Sequence, residues 1–181
     1  QAMANMKNEP QVVNLLMSLK NPFLATLMGF ALTAIIQSSS VTVSIVLLLA
    51  NQDLLPLPIT LYIILGCNIG ACATAMLASM TGKKDAKRAA LIHLLFNIIG
   101  TVVFTTLCLV TPLLGLSLVG GVQSLTPENP AAQIANMHTL FNIVTTFLLL
   151  PLGGKLVQLA MRILPDRKES GEEGIHLAYL I

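Results

Sequence analysis

Gln37-Ser38-Ser39-Ser40 is the stretch that decides the fold of this chain. These four consecutive polar side chains interrupt an uncharged, apolar run from Asn21 to Ala50. Polar groups in apolar surroundings are costly to bury unless they find a partner or serve a function. A second interruption, Gly66-Cys67-Asn68-Ile69-Gly70, follows about one membrane span downstream. We expect the two interruptions to face each other and to form half of a solute and ion site.

The composition is that of a membrane protein. Hydrophobic residues make up 55% of the 181 residues and charged residues only 10%, against roughly a quarter charged in a soluble domain. We therefore predict an all-α integral membrane protein. No basic face of the kind that binds nucleic acid is visible, so nucleic acid is not an expected partner. Three cysteines without a CxxC pair do not predict a disulfide or a transition-metal site: Cys67, Cys72 and Cys108.

The two ends of the chain differ from its middle. Residues 1–20 alternate polar and apolar positions, which favours an amphipathic lead-in helix. Residues 166–181 begin as a charged segment, typical of a solvated linker, and finish in an apolar phrase. Because residue 1 is Gln rather than Met, we expect a portion of a longer protein with a truncated tail.

The run from Asn21 to Ala50 is long for one span. A single helix would measure about 45 Å against a hydrocarbon core of about 30 Å, and tilt absorbs only part of the excess. The alternative is a re-entrant hairpin over residues 21–51 with its tip at Gln37–Ser40, near the midplane. Serines cap helix starts well, so the second arm would direct amide N–H groups and a positive dipole end at an anion. This interpretation places Asn21 and Asp53 on the same side of the membrane.

The second span, residues 57–80, is interrupted near its middle. Gly66 and Gly70, four residues apart, are typical of close helix packing. Asn68 between them favours a broken helix instead, because glycine allows unwinding and the Asn amide offers both donors and an acceptor. Unwound carbonyls and nearby hydroxyls, Thr74 among them, would form an oxygen cage suited to sodium.

Two further spans are predicted at residues 89–110 and 131–151. Basic residues form one group before the first of these spans and another after the second: Lys83, Lys84, Lys87 and Arg88, then Lys155, Arg162, Arg167 and Lys168. Because two spans separate the groups, both are expected on one side, which is cytoplasmic by the positive-inside rule.

A short internal echo lies within these two spans. His93-Leu-Leu-Phe-Asn97 recurs as His138-Thr-Leu-Phe-Asn142, with His and Asn four apart on one helix face in each copy. A proton or substrate contact is one interpretation. We favour the other, a pair of hydrogen bonds that fix helix packing.

The ordered set of these phrases resembles the sodium-dependent phosphate cotransporter family, the bacterial relatives of the animal type II sodium–phosphate cotransporters. The matching phrases are Thr33–Ser40, Leu65–Gly70, Arg88–Asn97 and His138–Asn142, and they cover most of residues 21–165. The resemblance implies two inverted halves, each with one Gln-Ser-Ser-Ser hairpin, that bind phosphate between them with sodium. This chain has one such motif and is more similar to the second half, so a missing first repeat or a second copy would complete the site.

The resemblance also implies site residues, a coupling ion and a location. Expected phosphate ligands are Gln37, Ser38, Ser39, Ser40 and Asn68. Expected sodium ligands are Ser39, Ser40, Gly66, Asn68, Gly70 and Thr74. Sodium is the coupling ion, no other cofactor is implied, and the location is the inner cell membrane, in contact with lipid. The family usually has two threonines where Ala71 and Cys72 stand here, which removes two hydroxyl ligands.

Three classes of function are compared. The first is half of a secondary transporter that couples sodium to inorganic phosphate. The second is a transport-inactive scaffold or signalling module of the same fold, which Ala71 and Cys72 favour. The third is an intramembrane serine hydrolase using Ser38–Ser40, which needs a base beside a serine. Only His93 and His138 are candidate bases within the spans, and no acidic residue accompanies them, so an enzyme is not predicted.

Overall fold

A computed structural model of the chain describes residue 14, residues 18–52 and residues 54–166. Seven α-helices are found within these residues: α1 Pro22–Ile36, α2 Ser39–Asn51, α3 Leu57–Ser79, α4 Lys84–Val110, α5 Leu118–Leu125, α6 Pro130–Leu149 and α7 Gly153–Ile163. The predicted lead-in helix, Asp53 and the tail beyond residue 166 lie mostly or wholly outside the described residues. The expectation of an all-α chain is confirmed for the part that the structure describes.

Among the described residues, three helical segments are long and apolar enough to cross a membrane: Leu57–Ser79, Lys84–Leu114 and Pro130–Ile163. The second joins α4 to a 3₁₀ turn at Thr111–Leu114, and the third joins α6 to α7 through a 3₁₀ turn at Leu150–Leu152. The predicted spans 89–110 and 131–151 fall within these segments, and α4 begins five residues before the first of them, at Lys84.

The run from Asn21 to Ala50 forms two helices rather than one. Gln37 ends α1 in the left-handed region, at φ 57° and ψ 25°, and its N–H donates to the carbonyl of Thr33 at 2.7 Å. Ser38 is extended and caps α2, its Oγ accepting from the N–H of Val41 at 3.4 Å. At 15 and 13 residues the helices are about 22 and 20 Å long, so neither can cross a hydrocarbon core of about 30 Å.

The packing of α1 on α3 shows which way the chain turns at this break. A Cβ placed on Gly29 would lie 1.8 Å from the carbonyl oxygen of Ile63, and one on Gly70 would lie 2.7 Å from the Cβ of Thr33. Contacts therefore advance together along both helices, so α1 and α3 run parallel. Since α2 connects them, it must run back between them, and α1 and α2 form a helical hairpin.

The predicted break in the second span is wrong. α3 is one continuous helix from Leu57 to Ser79, through both Gly66 and Gly70. The glycines serve close packing instead: a Cβ on Gly66 would lie 1.9 Å from the carbonyl oxygen of Thr26. Two helix backbones in contact leave no room for a side chain, and this requirement alone explains a Gly-xxx-Gly pattern.

The helices α4 and α6 pack against each other. The rings of Phe104 and Phe141 meet edge to face with centroids 5.5 Å apart, and both side chains are buried. One turn away, a Cβ on Gly100 would lie 2.3 Å from the Cγ2 of Thr145. From Gly100 to Phe104 along α4, the contacting residue on α6 moves back from Thr145 to Phe141, so α4 and α6 are antiparallel. The helix α3 is buried among the hairpin, α4 and α6.

The N-terminus of α4 is tied to the C-terminus of α7. Arg88, only 8% exposed, donates to the carbonyl of Leu164 from Nε at 3.0 Å and Nη2 at 2.8 Å, and pairs with Asp166 at 2.9 Å. Lys84 donates to the carbonyl of Pro165. Lys84 and Arg88 of the first basic group therefore lie beside the C-terminus of α7, and Arg167 and Lys168 of the second group lie outside the described residues. We call this end of the bundle the basic end, and the hairpin tip points towards it.

Candidate functional site

The hairpin tip presents unused hydrogen-bonding groups. Gln37 and Ser40 are exposed, whereas Ser38 and Ser39 are half-buried. The amides of Ser39 and Ser40 open α2 and have no acceptor in the part of the chain that the structure describes, as expected of the first turn of a helix. Their hydroxyls likewise bond to none of the described residues. The tip therefore offers donors and hydroxyl oxygens together.

The hydroxyls that follow the tip are already engaged. Thr42 donates to the carbonyl of Ser38 at 3.1 Å, and Ser44 donates to the carbonyl of Ser40 at 2.8 Å. These bonds keep the first turn of α2 together and leave the amides at its start directed out of the helix. The available groups of α2 are thus confined to Ser39 and Ser40.

Gly70 and Thr74 lie on the face of α3 that is directed towards the hairpin. Gly70 contacts Thr33, one turn before Gln37. Thr74 follows Gly70 by four residues on the same face and is exposed. Extending the parallel register by one turn brings Thr74 level with the tip. Thr74 therefore lies near the level of the tip along the bundle, and no bond joins it to the serines in the described structure.

Asn68 faces the other way. Residues two apart on an α-helix point about 200° from each other, so Asn68 cannot share the face of Gly66 and Gly70 while α3 stays helical. Its Oδ1 lies 3.0 Å from Nε2 of His138 on α6. Its Nδ2 is buried without a partner in the described structure. The structure thus separates Asn68 from the hairpin tip.

Cys72 occupies a packing position. Its thiol lies 3.5 Å from the carbonyl of Asn68 and 3.6 Å from the carbonyl of His93, and the side chain is buried between α3 and α4. A hydroxyl at this position would face α4 rather than the tip. Of the two threonines that the family usually has, this one would not reach the serines in the arrangement seen here.

The repeated His-Asn phrase makes a hydrogen bond within its own helix in both copies and a hydrogen bond to another helix in one copy. In both copies the Asn amide donates to the carbonyl of its own His, at 3.0 Å for Asn97 and 2.9 Å for Asn142. Only His138 also makes a side-chain bond to another helix, to Asn68, since His93 is exposed. The packing interpretation therefore holds for the second copy.

Two buried threonines were not singled out from the sequence. The hydroxyls of Thr33 and Thr145 are buried and have no hydrogen-bond partner in the described structure. Each lies where a glycine of the neighbouring helix leaves room, Gly70 for Thr33 and Gly100 for Thr145. Pairing each glycine with a hydroxyl residue on another helix is the signal that would have found them, but it requires the register of the helices.

The family profile described as Na+/Pi-cotransporter matches residues 2–126, more than half of the chain. The chain belongs to the Na+/Pi-cotransporter family. The match includes the hairpin, α3 and α4 and ends within the loop before α6.

Curated relatives match a shorter part. An uncharacterized protein of Bacillus subtilis, YqeW, is 42% identical over 76 residues, which is 42% of this chain and 25% of that protein. Sodium-dependent phosphate transport protein 2C from human is 39% identical and its mouse counterpart 38% identical, each over 82 residues, 43% of this chain and 14% of the relative. The matches thus span a quarter or less of these relatives. No solved structure matches the chain.

Proposed function

We propose that the protein to which this chain belongs is a sodium-coupled symporter of inorganic phosphate, and that the chain supplies one half of its transport path. Family membership supports the transported species, and it agrees with a function other than enzymatic catalysis. The observation that carries the proposal within the chain is the hairpin tip, where the amides and hydroxyls of Ser39 and Ser40 have no partner.

The physical fit to phosphate rests on the start of α2. Free N–H groups and the positive end of the helix dipole stabilise an oxyanion, here without any Lys or Arg in the motif. Gln37 adds an exposed amide beside them. We propose that phosphate accepts hydrogen bonds from Gln37 and from Ser38–Ser40.

The fit to sodium rests on hydroxyl oxygens. Sodium is a hard cation that prefers oxygen ligands. The proposed ligands are the hydroxyl oxygens of Ser39, Ser40 and Thr74. The carbonyls of Gly66, Asn68 and Gly70 serve the ladder of a continuous α3 in this structure. We therefore confine the proposed sodium ligands to the three hydroxyls, and Asn68, which is bonded to His138, is not part of the proposed phosphate site.

The hairpin is proposed to enter and leave the membrane on one side. Support comes from the shortness of α1 and α2 and from the parallel course of α1 and α3. Cysteines introduced at Asn21 and Gln52 of the complete protein, one at a time, should react with a membrane-impermeant maleimide from the same side, which we place opposite the cytoplasm. Reaction from opposite sides would show that residues 21–51 cross the membrane once and would refute the re-entrant hairpin.

Transport itself is tested with the complete protein in liposomes. An inward sodium gradient should drive uptake of radiolabelled phosphate, and replacing sodium with potassium should abolish it. Equal uptake in both salts would refute sodium coupling. The 181 residues by themselves should not accumulate phosphate, because alternating access in inverted-repeat transporters moves two repeats around a shared site.

A transport-inactive scaffold of the same fold is the second candidate. This candidate was suggested by Ala71 and Cys72, which stand where the family usually has two threonines. Because Cys72 packs between α3 and α4, its replacement of threonine removes nothing from the tip. Absence of sodium-driven uptake by a well-folded complete protein would favour the scaffold.

A further inference from the structure

An apolar groove lies along α3 and α4, bordered by α1 at its inner end and by α7 at its outer end, where it reaches Lys87. Its inner part has a volume of about 660 Å³, and its outer part, at the basic end, about 340 Å³. Met76 lines both parts, so the two adjoin at that side chain.

The walls follow regular helix faces. One wall is a stripe of α4 with the spacing i, i+4, i+7 and i+11: Lys87, Leu91, Leu94 and Ile98. The other is a stripe of α3 with the same spacing: Ile69, Ala73, Met76 and Met80. Eleven residues of helix correspond to about 16 Å, so the groove reaches from the basic end to roughly the middle of the bundle. Small Ala73 and Ala34 keep its floor low.

Charge distinguishes the outer end of the groove from the rest. Arg88 and Lys84 are paired with Asp166, and Arg88 also with Asp85. Lys87, which lines the groove, has no carboxylate within 4.0 Å in the described residues. The groove thus has one available cation at the basic end and apolar side chains along the rest of its length.

We propose that this groove binds an anionic phospholipid, with one acyl chain lying along α4 and the headgroup phosphate on Lys87. An apolar trough with a single cation at its membrane-surface end is complementary to an anionic amphiphile. Basic pockets between transmembrane helices on the cytoplasmic side are known to hold lipid headgroups. A helix of the same protein would bury the apolar walls equally well, and would match Lys87 only if it carried a carboxylate at that level.

The experiment captures the occupant of the groove directly. p-Benzoylphenylalanine replaces Leu94 in the complete protein, which is reconstituted in vesicles of equimolar phosphatidylglycerol and phosphatidylcholine and irradiated. Mass spectrometry of the adducts should show phosphatidylglycerol in clear excess. Lys87→Gln should lower the ratio of phosphatidylglycerol to phosphatidylcholine adducts by about fivefold, the weight of one lysine near an anionic surface.

Lys155→Gln is the matched control, because it removes the same charge from an exposed position outside the groove. Its adduct ratio should equal that of the parent. Equal capture of the two lipids by the parent, an equal fall in both lysine variants, or adducts to a protein segment in place of lipid would each overturn the proposal. Sodium-driven phosphate uptake does not enter this readout, so its outcome is independent of the proposed transport function.

Discussion

Gly66→Ala tests whether the glycines of α3 serve packing or unwinding. The new Cβ would lie 1.9 Å from the carbonyl oxygen of Thr26, where an ordinary contact needs about 3.4 Å. The obstructing atom belongs to the backbone, so no side-chain rotation relieves the overlap, and α1 must move away by about 1.5 Å. A gap of this size also weakens the neighbouring contact of Gly29 with Ile63.

The expected cost follows from two opposing effects. Overpacking typically destabilises by about 1–3 kcal/mol, and a backbone obstruction belongs at the upper end. Replacing glycine with alanine inside a helix stabilises that helix by at most about 1 kcal/mol, because alanine has the higher helix propensity. We therefore expect a net loss of about 2 kcal/mol, which corresponds to a fall in Tm of about 4–8 °C for 181 residues that unfold as one unit and to a smaller fall in a longer protein.

The assay is thermal unfolding of the complete protein in a mild detergent. Gly154→Ala is the control, since nothing lies within 4 Å of a Cβ at that position. Gly66→Ala as stable as Gly154→Ala would refute the packing argument and would revive the broken-helix interpretation of α3.

The clash caused by Gly100→Ala can be relieved by a second substitution, which is not possible for Gly66→Ala. The three atoms nearest to a Cβ on Gly100 all belong to the side chain of Thr145: Cγ2 at 2.3 Å, Oγ1 at 3.0 Å and Cβ at 3.3 Å. Thr145→Ala removes Cγ2 and Oγ1, and with Oγ1 a buried hydroxyl that lacks a partner. Gly100→Ala should therefore lower Tm, and the double variant should recover most of the loss, whereas failure of the rescue would contradict the described packing of α4 on α6.

Three further predictions concern polar contacts. Ser39→Ala in the complete protein should weaken the apparent affinity for phosphate about tenfold, because a hydrogen bond to a charged group contributes about 1.5–3 kcal/mol; Ser44→Ala, whose hydroxyl is engaged with a carbonyl, should change uptake little. Arg88→Lys should speed amide hydrogen exchange in α7, since an ammonium cannot reproduce the fork that holds two groups at once; unchanged exchange would contradict the described contact. A double-mutant cycle of Asn68→Leu and His138→Leu should give a coupling of about 0.6 kcal/mol, the usual size for a hydrogen bond between transmembrane helices, and strict additivity would argue against the bond.

The sequence by itself determined the class of the protein and the position of its turn. Hydropathy and the scarcity of charge fix an all-α membrane chain, because only helices satisfy every backbone group within one apolar segment. Gln37–Ser40 could be recognised as a helix break because serine supplies the N-cap that the next helix needs. The family could also be recognised, since ordered motifs need no three-dimensional information.

Only the tertiary structure decided what the second motif does. Gly66 and Gly70 are equally compatible with an unwound helix and with close packing, and the choice depends on whether another backbone lies against them. Here α1 does, so α3 stays continuous. Continuity then fixes the direction of each side chain and turns Asn68 towards His138, away from the hairpin tip. Sequence spacing places residues along a helix, but which neighbour each one meets depends on how the helices pack.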